Sequence, residues 1–273
     1  MSVRRLRRLA GRAAFALLMV DLFISPQRRA LTHFLALLIL VAAAVLTARD
    51  MAVGQTMAFS GFFVRDIASD VLKMAMYVVT GFVFVYAKPY LLDRDLFKGE
   101  FYALVLFGLL GMMLMVSAGG MVTLYLGIEL LALSSYGLVA MDRDNYASSE
   151  AAMKYFILGS MASGMLLYGM SMVYGATGSL QFDEIYVAAG ASDQRVLLMF
   201  GVVFVVVGVA FKFGAAPFHM WLPDVYHGAP TPITLFIGSA PKLAAFAMAI
   251  RVLDLGVGPL GDHWQPMLAG LAA

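Results

Sequence analysis

Four ionisable residues stand where a bilayer-compatible sequence should have none. Glu129 interrupts "LYLGIELLALSSYGLVA" (124–140), Lys212 ends "VLLMFGVVFVVVGVAFK" (196–212), Lys242 sits in "PKLAAFAMAIRVL" (241–253), and Lys154 follows "SSEAAM". At about 1.5 Å of rise per helical residue, Glu129 lies about 13 Å past Gly120 and Lys242 about 15 Å past Pro232. Both depths fall near the centre of a roughly 30 Å hydrocarbon layer. A charge there disfavours insertion by roughly 2.5–3.5 kcal/mol, so a helix with no task for it would not keep it. The chemistry open to such groups is reversible proton binding. Removal from water disfavours an ammonium and a nearby carboxylate favours it, so a Glu–Lys pair whose separation changes can load and release a proton. The competing reading is a static ion pair between Glu129 and a buried lysine that only holds helices together.

Lys212 is followed by "FGAAPFHMWLPDVYHGAPTP" (213–232), a poor helix. An unbroken helix from Arg195 to Asp224 would run about 43 Å, too long for an upright crossing. Gly214 and Pro217 mark the expected break, because a proline at 217 removes a backbone donor and clashes with the carbonyl of Phe213. Broken backbone at this depth is tolerated only inside protein or beside a wet cavity, so the freed carbonyls are expected to hold water next to Lys212. Lys154, four residues after Glu150 and about 6 Å in, suits an i,i+4 surface pair as well as it suits a function. His219, past the break, is either a hydrogen-bonded structural histidine or a relay group.

These side chains need a helical frame, and composition supplies one. The chain has 273 residues, 62% of them hydrophobic and 13% charged, too little charge to cover a water-soluble domain. Apolar runs recur along the whole length, which predicts an all-α polytopic membrane protein. The expected spans are 9–24, 31–48, 71–87, 101–118, 121–141, 151–174, 196–217 and 233–253. A ninth begins near Trp264, and the chain is expected to be a truncated piece that stops inside it. The Arg-rich start with its short apolar run is read as a membrane helix rather than a cleaved signal. The segment 175–194, which mixes acids with an apolar stripe, is expected at the membrane surface.

Loop cations after odd-numbered spans (Arg28, Arg29, Lys88, Arg94, Lys98, Arg143) modestly outnumber those after even-numbered ones (Arg49, Arg65, Lys73, Arg195), while the Arg-rich start points the opposite way. Cysteine is absent, which excludes disulfides, Fe–S ligation and thiolate metal sites. Four scattered histidines argue against haem or zinc. No Gly-rich nucleotide loop and no basic nucleic-acid patch is present.

The stretches 124–140, 148–180, 212–236 and 241–253, with "PFHMWLPDVYHGAPTP" and "EAAMKYF" the most specific, resemble the antiporter-like membrane subunits of bacterial NADH-quinone oxidoreductase (respiratory complex I), and the subunit N family in particular. The resemblance implies three N-terminal helices (1–100), a first five-helix repeat with a broken seventh helix (101–253), and the start of a truncated ninth helix (254–273). It implies proton transfer through Glu129, Lys212, Lys242 and Lys154, with a less defined role for His219. It also implies a multi-pass place in the inner membrane beside other membrane and peripheral subunits, among them neighbouring antiporter-like ones. NADH, FMN, Fe–S clusters and quinone would then be handled by partner subunits and no cofactor by this chain. The family has about fourteen spans, so the second repeat and its own lysine-bearing break lie outside this sequence. The alternatives are a subunit of an Mrp-type cation/proton antiporter or of a membrane hydrogenase.

Overall fold

The computed structural model describes residues 15–17, 19, 30–51 and 55–272. Its helices are α1 (Ala30–Met51), α2 (Ile67–Asp93), α3 (Gly99–Val116), α4 (Met121–Val139), α5 (Tyr146–Thr177), α6 (Phe182–Ala191), α7 (Arg195–Phe213), α8 (Trp221–Gly228), α9 (Thr231–Gly238), α10 (Ala240–Ala249) and α11 (Gly261–Ala272). A hairpin of β1 (Thr56–Ala58) and β2 (Phe63–Arg65) joins α1 to α2, pairing Thr56 with Arg65 and Ala58 with Phe63. Among the described residues seven segments are long and apolar enough to cross a membrane: α1 to α5, α7, and the composite Thr231–Asp254. They match the second to eighth expected spans to within a few residues. The expected first span, 9–24, lies outside the described residues apart from 15–17 and 19. The helical stretch expected near Trp264 is α11.

Local chemistry sets the ends. Asp66 caps α2 by accepting from the Ser69 amide at 2.7 Å while the Ser69 hydroxyl accepts from the Asp66 amide at 3.1 Å, a reciprocal capping box. Asn145 starts α5 by accepting from the Ala147 amide, and Gly178, left-handed at φ 74°, ends it. That helix of 32 residues is about 48 Å long, so it must tilt or protrude from the hydrocarbon layer. α7 lies directly on α5, because a Cβ on Gly169 would come within 2.7 Å of the Gly201 carbonyl. In lipid such bare-backbone contact is what brings helices together.

One end of the bundle is laced by backbone. The Val64 amide donates to Ser117 O (2.8 Å), Gly119 to Phe62 O (3.0 Å) and Met121 to Leu180 O (2.8 Å). The α3–α4 turn is thereby held between the hairpin on one side and the chain before α6 on the other. Segment 175–194 forms α6, burying Phe182, Ile185 and Ala189 while Asp183 and Glu184 occupy its first turn. Two expectations are corrected at this same end. Arg65 and Lys73, counted above as loop cations, are 4% and 3% exposed, buried inside the protein.

Candidate proton-transfer site

α7 stops at Phe213, one residue past Lys212, where Gly214 turns left-handed at φ 73°. The Gly214 amide closes back onto Ala210 O (2.9 Å) and Phe211 O (3.1 Å). The break is therefore made by glycine, which alone enters this conformation without strain. The expected clash of Pro217 with the Phe213 carbonyl does not arise, because the helix has already ended at Phe213 and Pro217 lies in the turn beyond it. The chain resumes as α8 at Trp221.

The carbonyls left open by the break find side-chain donors within the protein. Trp221 Nε1 donates to Phe211 O at 3.2 Å. Lys242 Nζ donates to Lys212 O at 3.2 Å and to Phe213 O at 2.9 Å. The same ammonium stands 5.4 Å from the centroid of the Trp221 ring, within cation–π range. A helix C-terminus is the negative end of its dipole, so a lysine there is electrostatically matched.

Lys242 is held in place by a second interruption that the sequence reading missed. The expected continuous span 233–253 is divided at Ser239 (φ −116°, ψ −86°) into α9 and α10, and it ends in a π-helical turn over Ile250–Asp254. Ser239 donates from its hydroxyl to Leu235 O at 2.5 Å, satisfying a carbonyl that the interruption frees. Pro241, which brings no amide to the helix, was the available signal.

Glu129 lies midway along α4, and its carboxylate accepts a hydrogen bond from Ser163 of α5. The Ser163 hydroxyl is also 3.3 Å from the Tyr125 hydroxyl. Lys212 is in electrostatic reach of both Glu129 and Lys242, yet no N–O pair between Glu129 and Lys212 falls within 4.0 Å. Between the elements is a cavity of about 20 Å³ lined by Lys212, Lys242, Tyr155, Trp221 and Ser135, room for about one water. Tyr155 stacks on Trp221 at 4.7 Å and meets Tyr136 edge-on at 4.8 Å. Ser135, which lines the same cavity, donates its hydroxyl to Leu131 O at 2.8 Å.

Lys154 and His219 are placed differently. Lys154 pairs with Glu150 at 2.9 Å, as the i,i+4 reading expected, and with Asp224 of α8 at 3.2 Å. All three side chains are 43–45% exposed. His219 sits in the turn between α7 and α8 with an exposed side chain. The structure thus groups Glu129, Lys212 and Lys242, and it leaves Lys154 and His219 outside that group. Trp221, Tyr155, Ser163 and Asp224 complete these contacts and were not singled out from sequence, since neutral polar and aromatic residues at helical spacing look like packing. Among the described residues no cluster of three or more His, Asp or Glu is close enough to hold a metal ion.

Residues 118–273 match the family model described as NADH:quinone oxidoreductase/Mrp antiporter, TM. The chain is 54% identical over 261 residues to NADH-quinone oxidoreductase subunit N of Thioalkalivibrio sulfidiphilus, covering 95% of this chain and 54% of that protein. It is 56% identical over 260 residues to subunit N of Xanthomonas euvesicatoria pv. vesicatoria, covering 95% and 53%. Among solved structures, a chain of respiratory complex I from Thermus thermophilus with bound aureothin superposes with a TM-score of 0.77 at 31% identity, covering 90% of this chain and 52% of that one. The chain thus spans about half the length of the curated relatives it matches. With the family match covering more than half of its residues and the broken, lysine-capped helix inside the matched region, the chain belongs to the NADH:quinone oxidoreductase/Mrp antiporter transmembrane family.

Proposed function

We propose that this chain is part of a proton-translocating membrane subunit of a bacterial NADH-quinone oxidoreductase, seated in the inner membrane beside other antiporter-like subunits. Residues 101–253 would form one half-channel, with Glu129, Lys212 and Lys242 carrying the proton and Lys154 joining them from the α5–α8 surface. NADH, FMN, Fe–S and quinone chemistry would take place in partner subunits. The relatives named subunit N support this reading. The observation that carries it is the bond from Lys242 to the carbonyls of Lys212 and Phe213.

That bond makes the position of one lysine depend on the helix end that carries the other. A proton arriving at or leaving either ammonium changes the field at its neighbour and at Glu129, and half-buried charges are screened less than exposed ones. Ser163 orients the Glu129 carboxylate. The Tyr155–Trp221 stack forms one wall of the cavity that Lys212 and Lys242 line.

The test is Lys212→Met in the full-length subunit, assembled in the complete complex in inverted membrane vesicles. NADH-driven acidification should fall roughly ten-fold or more, as for the loss of one positioned proton-transfer group. Unchanged acidification would leave a helical scaffold with static charges. Lys212-dependent sodium/proton exchange without NADH would instead place the chain with the antiporters of the family.

A further inference from the structure

Two carbonyl oxygens at the broken end of α7 converge on one point. Lys212 O and Phe213 O lie 3.2 Å and 2.9 Å from the same atom, Nζ of Lys242. The centroid of the Trp221 ring is 5.4 Å from that atom. In membrane proteins, carbonyls turned to one point at an unwound helix C-terminus are a means of holding sodium, with the negative end of the dipole behind them. An aromatic face adds attraction for any cation. The chain thus builds a seat for a monovalent cation and fills it with a side chain of its own.

The surroundings favour a tethered ammonium over a free metal ion. The third carbonyl at the break, Phe211 O, is taken by Trp221 Nε1 at 3.2 Å. The adjoining cavity of about 20 Å³ holds about one water, too little for a hydrated ion. Among the described residues its lining includes both lysines and no carboxylate, and a second ammonium repels an entering cation. The Glu129 carboxylate is engaged with Ser163 instead. Lysine also suits a seat that must stay filled. An ammonium has three N–H donors, so with two on the carbonyls a neutral amine would keep both bonds. The seat is occupied in either charge state.

We infer that Lys242 sets the ion selectivity of this site: it occupies the place that a sodium or potassium ion would take at the broken end of α7, and so confines exchange there to protons. The inference rests on the reading that charge moves through Lys212 and Lys242, and it adds the reason that an alkali cation does not.

The experiment uses the purified complete complex carrying the full-length subunit, with sodium as the probe. Deuterium exchange of amides 205–222 is followed in choline chloride and in sodium chloride at equal ionic strength, so that screening is matched. Lys242→Ala vacates the seat. Sodium that binds only the ordered break should then protect these amides, roughly ten-fold at ten times its dissociation constant. Wild type and Lys242→Arg, which keeps a fixed cation there, should not respond. Sodium protection that is absent in Lys242→Ala, or as large in wild type as in Lys242→Ala, overturns the inference. If Lys242→Ala fails to assemble, the wild-type complex in liposomes decides, by its NADH-driven uptake of radioactive sodium. Sodium uptake that Lys212→Met abolishes overturns the inference, and acidification without such uptake supports it. Sodium protection is read without turnover, so it stands or falls separately from the loss of acidification in Lys212→Met that tests proton translocation itself.

Discussion

Lys242 caps the broken helix that carries Lys212: its Nζ lies 2.9 Å from the Phe213 carbonyl oxygen and 3.2 Å from that of Lys212 itself. Helix ends at membrane depth must find donors within the protein. Here the donor is an ionisable side chain on another interrupted helix. Structure and charge are thereby tied to one atom.

Lys242→Met should expose that tie. Hydrogen bonds from charged donors contribute about 1.5–3 kcal/mol each, so without them the break loosens, and amides of residues 205–222 should exchange with deuterium faster in the purified complex. Lys242→Arg retains donors for both carbonyls but does not deprotonate. It should keep the amides protected while acidification is lost. Equal acidification by Lys242→Arg and wild type would reduce the residue to a cap.

Glu129→Gln keeps an oxygen for Ser163 and changes only the charge. Acidification should fall roughly ten-fold with assembly intact. Ser163→Ala leaves the charge and removes its orienting partner, so a smaller loss is expected. Should the two variants behave alike, orientation rather than charge would be what Glu129 contributes.

Gly214→Ala places a side chain at φ 73° and aims its Cβ at the Leu222 side chain. The left-handed conformation alone costs about 1–2 kcal/mol for an L-residue. Thermal stability of the complex should drop. Adding Leu222→Ala should recover the part due to the clash and not the part due to the backbone, a partition that a double-mutant cycle reads directly.

Lys154→Ala and Asp224→Asn should lower acidification by the same factor, with the double variant no worse than either alone, because the two side chains pair at 3.2 Å. A loss confined to Lys154→Ala would mean that the lysine acts without its α8 partner.

Much of the frame was legible in the residues alone, for a physical reason. A bilayer imposes one length and one polarity on every span, so seven spans emerge from apolar runs to within a few residues. The same rule made Glu129, Lys212 and Lys242 conspicuous, since charge in an apolar run needs a cause. The interior of the frame was less legible. Of the two residues expected to mark the break, Gly214 is the one at which the helix ends, and the division at Ser239 passed unnoticed.

Arg65 and Lys73 show the limit most plainly. By sequence they lie at a span's edge and look like loop cations. Only the folded chain, by setting the β2 arginine against the first turns of α2, buries them on Asp70. Sequence by itself determined which stretches enter the membrane and which charges travel with them, because insertion depends on local composition. Tertiary structure decided which of those charges meet, because Lys242 and Phe213, 29 residues apart, become neighbours only when two interrupted helices pack together.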